Sequence, residues 1–393
     1  MPPPRKIAFV SPRFPEGATI GGAETLLRTL AGYAVAAGLD VTFLTTCARN
    51  HFTWANEVPP GTRTIDGIRV HFFPVDSDRD IESFLRVQER ISRGTKVTLD
   101  DEMLWLKNNV NSAALINHLK TEGATYERII IGPYLFGLTY FAAAVDPRRT
   151  VLVPCLHDEA FAYLESFASM FRDARTIMFN SAPERDLAAR LFGEPMEKMP
   201  VVGMGIPPFD AAPDAFARQN KLTTPYVIYS GRREPLKGTP LLLAYLDTFR
   251  QRTQRQIKLV LTGSGQIEPP PSLAPHIVDL GFVDEPTKRN AMAGALAFCH
   301  PSVNESFGIV LLESFMAGTP GLVHAGSAVL QHQCRASNGG LWFRNYPEFE
   351  ESLSLLCDQP DLRRALGAAG RRYVQSEFAP PRITEKLLTA LAG

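Results

Sequence analysis

The chain has little cysteine, and what it has forms no pattern. The five cysteines (Cys47, Cys155, Cys299, Cys334, Cys357) are odd in number, widely scattered and never spaced as C-x-x-C. That argues against a disulfide framework and the usual zinc spacings, and leaves buried free thiols as the expectation. Surplus charge is missing too, since Lys+Arg and Asp+Glu both number 41 in 393 residues. No broad basic field is offered to nucleic acid, so any anion site has to be local. The most apolar long stretch, Ile129 to Val145, is broken by Gly132-Pro133. It falls short of the ~20 residues a membrane span needs and reads as strand, turn and helix. Nor does the start, Met1-Pro2-Pro3-Pro4-Arg5-Lys6, carry a signal-peptide core. A cytoplasmic protein is expected, with peripheral contact at the inner face of a membrane left open.

The dinucleotide fingerprint G-x-G-x-x-G is also absent at the amino-terminal turn. Gly17-Ala18-Thr19-Ile20-Gly21-Gly22-Ala23-Glu24 leads into the first helix instead. The paired Gly21 and Gly22 let backbone approach a ligand closely, and they equally suit a tight turn. The second strand ends in Thr45-Thr46 rather than in the acidic residue a dinucleotide ribose needs, which argues against a nicotinamide dehydrogenase. A D-x-D does occur at Asp76-Ser77-Asp78, but in a polar segment away from strand ends, where it reads as a solvated turn. Glu184-Arg185-Asp186 reads as an exposed helix face.

What the chain does have is enough apolar material for two cores: 45% hydrophobic and 21% charged residues. Lys6–Val10, Ala23–Ala37 and Val41–Thr45 form a strand–helix–strand unit across a Gly/Pro loop. Ile68–Phe73, Arg128–Ile131, Thr150–Pro154 and Thr176–Asn180 read as further strands, and Ala182–Phe192 as helix. Asp76 to Lys120 is polar and mostly helical in pattern. Pro207, Pro208 and Pro213 then punctuate the best linker candidate. A second series follows: strands Tyr226–Ser230, Ile257–Thr262, Ile277–Leu280, Ala295–His300 and Gly321–His324. The helices among them are Pro240–Arg250, Pro286–Ala293 and Phe307–Ala317. The class is therefore α/β, two Rossmann-like parallel-sheet domains facing across a cleft. The boundaries are 1–205, a linker at 206–224, 225–375, and a last helix at 376–393. Ligands of such sheets lie beyond the carboxyl ends of the strands.

The richest stretch runs from His300 to Glu313, HPSVNESFGIVLLE. Seven residues separate Glu305 from Glu313. Glu305 sits on the connection after an apolar strand, and Glu313 about two turns into the following helix at ~1.5 Å per residue. The helix start at Ser306-Phe307-Gly308 is an anion site in waiting, because free N–H groups and the helix dipole favour negative charge there. A phosphate between two carboxylates suits a ligand with hydroxyls at both ends, and a nucleotide-sugar is such a ligand.

Gly231-Arg232-Arg233-Glu234-Pro235-Leu236-Lys237-Gly238 follows the first strand of the second series. Arg232 and Lys237 can neutralise a diphosphate, Arg as a fork and Lys as a point charge. Taken alone, the same loop is as well explained as a solvated basic turn. His157, in Leu156-His157-Asp158 after a strand end, is a candidate contact to a substrate hydroxyl, although a lone His is more often a structural hydrogen bonder. Gly263-Ser264-Gly265 and Gly281-Phe282-Val283 also end strands, and the main chain at Phe282 and Val283 could meet a nucleotide base.

Together these segments resemble the retaining glycosyltransferases of family 4, which have the GT-B fold. The match runs through Gly21-Gly22-Ala23-Glu24, His157-Asp158, Gly231-Arg232 to Lys237-Gly238, Gly263-Ser264-Gly265, Gly281-Phe282-Val283 and Glu305 to Glu313. Its order holds over nearly the whole chain. The resemblance implies an acceptor side in the first domain, a donor side in the second, and a last helix near Pro381 to Leu391 that crosses back onto the first. It implies that Arg232 and Lys237 hold the donor diphosphate, helped by Gly22 and the backbone at Phe307-Gly308. Glu313 would accept the ribose hydroxyls, while Glu305 and His157 would meet the transferred sugar. The resemblance also implies that no cofactor and no metal is needed, so that the two cations take over neutralising the diphosphate. Leu39 replaces a histidine common in the family, and Ser327 to Asn338 lacks the acidic residue often found there, which leaves the sugar open.

The expected partners are a nucleoside-diphosphate-sugar donor and a carbohydrate, glycolipid or small-metabolite acceptor. Surface polysaccharide or glycoconjugate synthesis is the expected setting. Two other readings use the same residues: a nucleotide-sugar epimerase, which would turn over donor without acceptor, and a non-catalytic nucleotide-sugar-binding scaffold.

Overall fold

A computed structural model describes residues 5–16 and 21–393. Gly17-Ala18-Thr19-Ile20 and the first four residues lie outside it. The chain forms two compact units. The first runs to Gly205 and takes back Pro380–Gly393, and the second is Ile206–Ala379.

The first unit opens with β1 (Lys6–Ser11), α1 (Gly22–Ala36), β2 (Asp40–Thr46), β3 (Gly61–Ile65) and β4 (Ile68–Phe73). Three helices follow: α2 (Ile81–Ser92), α3 (Leu99–Asn108) and α4 (Ala113–Glu122). Then come β5 (Arg128–Ile131), α5 (Gly137–Ala143), β6 (Thr150–Leu152), α6 (Glu165–Asp173), β7 (Thr176–Ile177) and α7 (Ala182–Phe192). The seven-stranded sheet has the order β3-β4-β2-β1-β5-β6-β7. Every pair is parallel except β3 with β4. Central strands such as β1 are buried along nearly their whole length, which is why they read as unbroken apolar runs. Trp105, Tyr134, Phe167 and Phe171 fill the core beneath.

The second unit holds α8 (Pro213–Gln219), β8 (Tyr226–Ser230), α9 (Thr239–Thr253), β9 (Lys258–Thr262), β10 (Ile277–Asp279) and α10 (Glu285–Ala293). It continues with β11 (Phe298–His300), α11 (Ile309–Ala317), β12 (Gly321–His324), α12 (Ala328–Ser337), β13 (Gly340–Phe343), α13 (Tyr346–Asp358) and α14 (Pro360–Glu377). Its six strands lie in the order β10-β9-β8-β11-β12-β13, all parallel. The chain walks outward from β8 to β10, then returns to place β11 on the other side of β8. The loops after β8 and β11 therefore leave adjacent strands at the point where the order reverses, the usual ligand position in such sheets. The last helix, α15 (Pro380–Ala392), packs on α1 in the first unit. Ile383, Leu387 and Leu391 are its buried side, and Arg5 donates to the Leu391 carbonyl at 3.0 Å.

Several sequence expectations need correction. The segment 206–224 is not bare linker, because Pro213 starts helix α8 and Phe216 is buried. Helix α11 begins at Ile309 rather than at Phe307. Gly308 has φ +82°, a left-handed conformation that cannot continue a right-handed helix. Glu313 consequently lies just past the first turn, not two turns in. Asp76 is not merely solvated, since its carboxylate accepts the Ala113 N–H at the start of α4 at 2.9 Å.

Glu184 is the largest departure. Its carboxylate is buried and not on an exposed face. It accepts the Leu156 N–H at 2.6 Å and the Asn180 N–H at 2.5 Å, tying the start of α7 to the loop after β6. Burial pushes this carboxyl up to about 8, against the pull of those N–H donors. A folded value above the ordinary 4.5 means that the folded chain keeps a proton the unfolded chain has released. Stability from this group is therefore greatest below that window and falls as pH rises through it. Glu184→Gln should flatten that slope, which thermal melts between about pH 5 and about pH 8 would show. A slope unchanged in the variant would locate its cause elsewhere.

Candidate functional site

The second unit brings most of the expected residues to the β8/β11 reversal. Lys237 ends a short 3-10 turn, Pro235–Lys237, after β8. Its Nζ lies 2.7 Å from Glu305 Oε1 on the loop after β11, and 3.4 Å from the Asn304 carbonyl. The next residue explains how the loops can meet. Gly238 has φ +73°, and a Cβ there would sit 2.7 Å from the Pro301 carbonyl oxygen. Only glycine tolerates both the conformation and the approach.

His300, the last residue of β11, places Nε2 3.6 Å from the same Glu305 oxygen. Burial pushes this imidazole down to about 4, so near neutral pH it is uncharged and Lys237 is the cation paired with Glu305. The Lys237 and Glu305 side chains retain 24% and 16% exposure, enough for a ligand to reach them.

The two arginines of the loop behave differently. Arg232 is exposed, with Nη1 3.2 Å from Glu234 Oε1. Arg233 is buried and grips Asp279 at the end of β10 through two bonds of 2.6 Å. It also donates to the carbonyls of Gly263 at 3.1 Å and Gly265 at 3.2 Å. Gly263 is thereby tied into this staple, and its own N–H bonds the Gly281 carbonyl at 2.7 Å. One guanidinium thus fixes the loops after β8, β9 and β10 relative to one another. Phe282 beyond them is exposed and Val283 is half-buried.

Beyond Glu305, Ser306 is half-buried. Phe307 turns inward, its ring 5.3 Å from that of Phe378 and edge-on to it, so only its backbone remains for a ligand. Gly308 caps α11. Glu313 faces Lys288 of α10, with Nζ–O distances of 3.1 and 2.9 Å. Burial raises the Glu313 carboxyl, and the Lys288 charge works against that rise.

In the first unit, Gly21 caps α1, accepting the Thr25 N–H at 3.1 Å, and Gly22 is the first helical residue. The neighbouring Glu24 is buried against Arg13, whose Nε donates at 3.0 Å. His157 follows β6 with Nδ1 3.6 Å from Glu159 Oε1 and is partly exposed. Its loop is held by the Glu184–Leu156 bond on one side and by Asp158–Arg190 at 2.6 Å on the other. Sequence reasoning gave no role to Arg233 or Lys288 and placed Glu184 on an exposed helix face. A signal existed for one of them, since Ser181-x-x-Glu184 has the spacing that turns a glutamate back toward a helix start.

Among the described residues, no helix is long and apolar enough to cross a membrane, and no cluster of three or more His, Cys, Asp or Glu is placed to hold a metal. All five cysteines are free thiols.

Residues 212–373 match the family described as glycosyl transferases group 1. A phosphatidyl-myo-inositol mannosyltransferase of Mycolicibacterium smegmatis is 37% identical over 125 residues, covering 30% of this chain and 31% of that protein. A D-inositol 3-phosphate glycosyltransferase of Kineococcus radiotolerans is 30% identical over 233 residues, covering 51% and 53%. The chain thus spans about a third to about half the length of these curated relatives. Among solved structures, a sucrose-phosphate synthase from Thermosynechococcus elongatus superposes with a TM-score of 0.72 at 17% identity, over 98% of each chain.

Proposed function

We propose that this chain, a family 4-like protein with the GT-B fold, is a retaining glycosyltransferase that moves a sugar from a nucleoside-diphosphate-sugar to an acceptor hydroxyl. The observation that carries the reading is the 2.7 Å contact between Lys237 and Glu305. It joins a diphosphate-binding cation to a sugar-binding carboxylate at the strand reversal. Transfer begins as the bond from the anomeric carbon to the diphosphate oxygen breaks and negative charge collects on the leaving group. Lys237, Arg232 and the backbone at Phe307-Gly308 stabilise that charge in place. The acceptor oxygen bonds the anomeric carbon from the same face, and its proton passes to the departing phosphate oxygen. Glu305 and His157 orient the transferred sugar, and Glu313 takes the ribose hydroxyls.

No metal enters this scheme. Both relatives are named for inositol compounds, a phosphatidyl-myo-inositol and a D-inositol 3-phosphate, in keeping with a small-metabolite or glycolipid acceptor here. Surface glycoconjugate assembly in the cytoplasm, at or near a membrane face, is the setting we propose.

The first test is a thermal-shift panel with UDP, GDP, ADP, CMP and NAD, each with EDTA and with magnesium. A ligand that binds only the folded chain raises the melting temperature by mass action. A shift with one nucleoside diphosphate in EDTA is expected and would identify the base, whereas no shift with any of them would overturn the donor site. For that nucleotide, Lys237→Ala should raise Kd about 10- to 100-fold, the size of one lost charge-assisted contact. Arg232→Ala should raise it less, because its guanidinium is already solvated. Unchanged affinity in both would remove the diphosphate from this loop.

A further inference from the structure

Lys288 has no role in the scheme above, yet it is one of the least exposed cations of the second unit. It lies in the early turns of α10, directly after the Phe282-Val283 segment. Its side chain is 16% exposed and that of its partner Glu313 is 15% exposed. The ammonium reaches both carboxylate oxygens, Oε1 at 3.1 Å and Oε2 at 2.9 Å. A second carboxylate, Glu285 one turn earlier, supports it from behind at 2.8 Å. Arg289 adds positive charge from the same helix.

A carboxylate this enclosed is driven toward its neutral acid by the loss of solvent. As a neutral acid it would keep one acceptor oxygen and turn the other into a donor. As an anion it accepts only, with lone pairs for two hydroxyl groups besides the ammonium. A compact cation bridging both oxygens favours the anion and also fixes the plane of the carboxylate.

We propose that Lys288 is a positioning residue of the donor site, holding Glu313 as an oriented anion that receives the 2′ and 3′ hydroxyls of the nucleoside ribose. This rests on the reading of Glu313 as the ribose acceptor. Hydrogen bonds to a charged acceptor are stronger than those to a neutral one by about tenfold in binding, which sets the expected effect.

The experiment titrates wild type, Lys288→Met, Lys288→Arg and Glu313→Gln with the nucleoside diphosphate chosen by the panel and with its 2′,3′-dideoxy counterpart. Lys288→Met should weaken the intact nucleotide about tenfold and leave the dideoxy nucleotide unaffected. Lys288→Arg should recover most of the loss. Equal loss for both nucleotides would mean a structural role and overturn the proposal. Equal or tighter binding of the intact nucleotide would show that the ammonium merely occupies the ribose position, and would overturn it too. Glu313→Gln separates the two levels. If its loss is the same for the intact and the dideoxy nucleotide, the ribose reading itself is wrong. If its loss falls on the intact nucleotide alone and that of Lys288→Met does not, only the role of Lys288 is wrong.

Discussion

Glu305→Gln should lower kcat by about 10²- to 10³-fold, the usual cost of one charge-stabilising group at a reacting centre. It should leave nucleoside-diphosphate affinity within about twofold. The geometry separates the two quantities. Glutamine keeps the shape of the side chain and an oxygen for Lys237 Nζ, now at 2.7 Å from Oε1, so the loop after β11 has no reason to move. What disappears is the negative charge. Lys237 then loses its competing counter-ion and is at least as free to meet a diphosphate. His300 cannot supply the missing negative charge, since an imidazole is neutral or cationic, and burial holds this one neutral near pH 7. Steady-state turnover and calorimetric titration of the diphosphate check both halves. Near-normal turnover would remove Glu305 from the reacting centre. Weakened binding at an unchanged melting temperature would place Glu305 on the nucleotide instead of the sugar.

Much of this architecture could be read from the residues, because buried parallel strands leave a strong trace. The core runs at β1, β5, β8 and β9 are apolar on both faces and cannot be mistaken for surface. Strand β3 left no such trace. It is an exposed edge whose sequence, GTRTI, carries one aliphatic side chain, and it pairs only with β4. The candidate site divides in the same way. Glu305, Lys237 and Glu313 announce themselves by spacing along the chain. Their partners do not, since each partner is set by strand order or helix packing. Lys237 meets Glu305 because β11 returns to lie beside β8. Lys288 meets Glu313 because α10 packs on α11. Glu184 misled for a related reason. Its neighbours Arg185 and Asp186 suggest a solvated face, but one turn of helix points it inward to the backbone of another loop.

Arg232 and Arg233 are adjacent and chemically identical, and they should fail in opposite ways. Arg233→Ala is expected to destabilise the second unit by about 3 kcal/mol, toward the lower end for a broken buried ion pair. The lower end applies because Asp279 keeps 43% exposure and can recover solvation, whereas Arg233 at 3% cannot be replaced by water. The loss extends beyond the pair. The carbonyls of Gly263 and Gly265 lose their side-chain donor, and Asp279, which also accepts the Gly281 N–H at 2.9 Å, is left to hold its turn alone. For a unit of this size the melting temperature should fall by roughly 6–12 °C. Arg232→Ala should leave the melting temperature within about 1 °C, since a half-exposed ion pair contributes little to stability, and should instead weaken the nucleoside diphosphate. Differential scanning calorimetry of the two variants, with titration of whatever remains folded, tests both. A stable Arg233→Ala chain beside a destabilised Arg232→Ala chain would exchange their roles and shift the diphosphate cation by one residue. Loss of nucleotide affinity in Arg233→Ala at temperatures well below its transition would mean that the three loops it staples together shape the donor site directly.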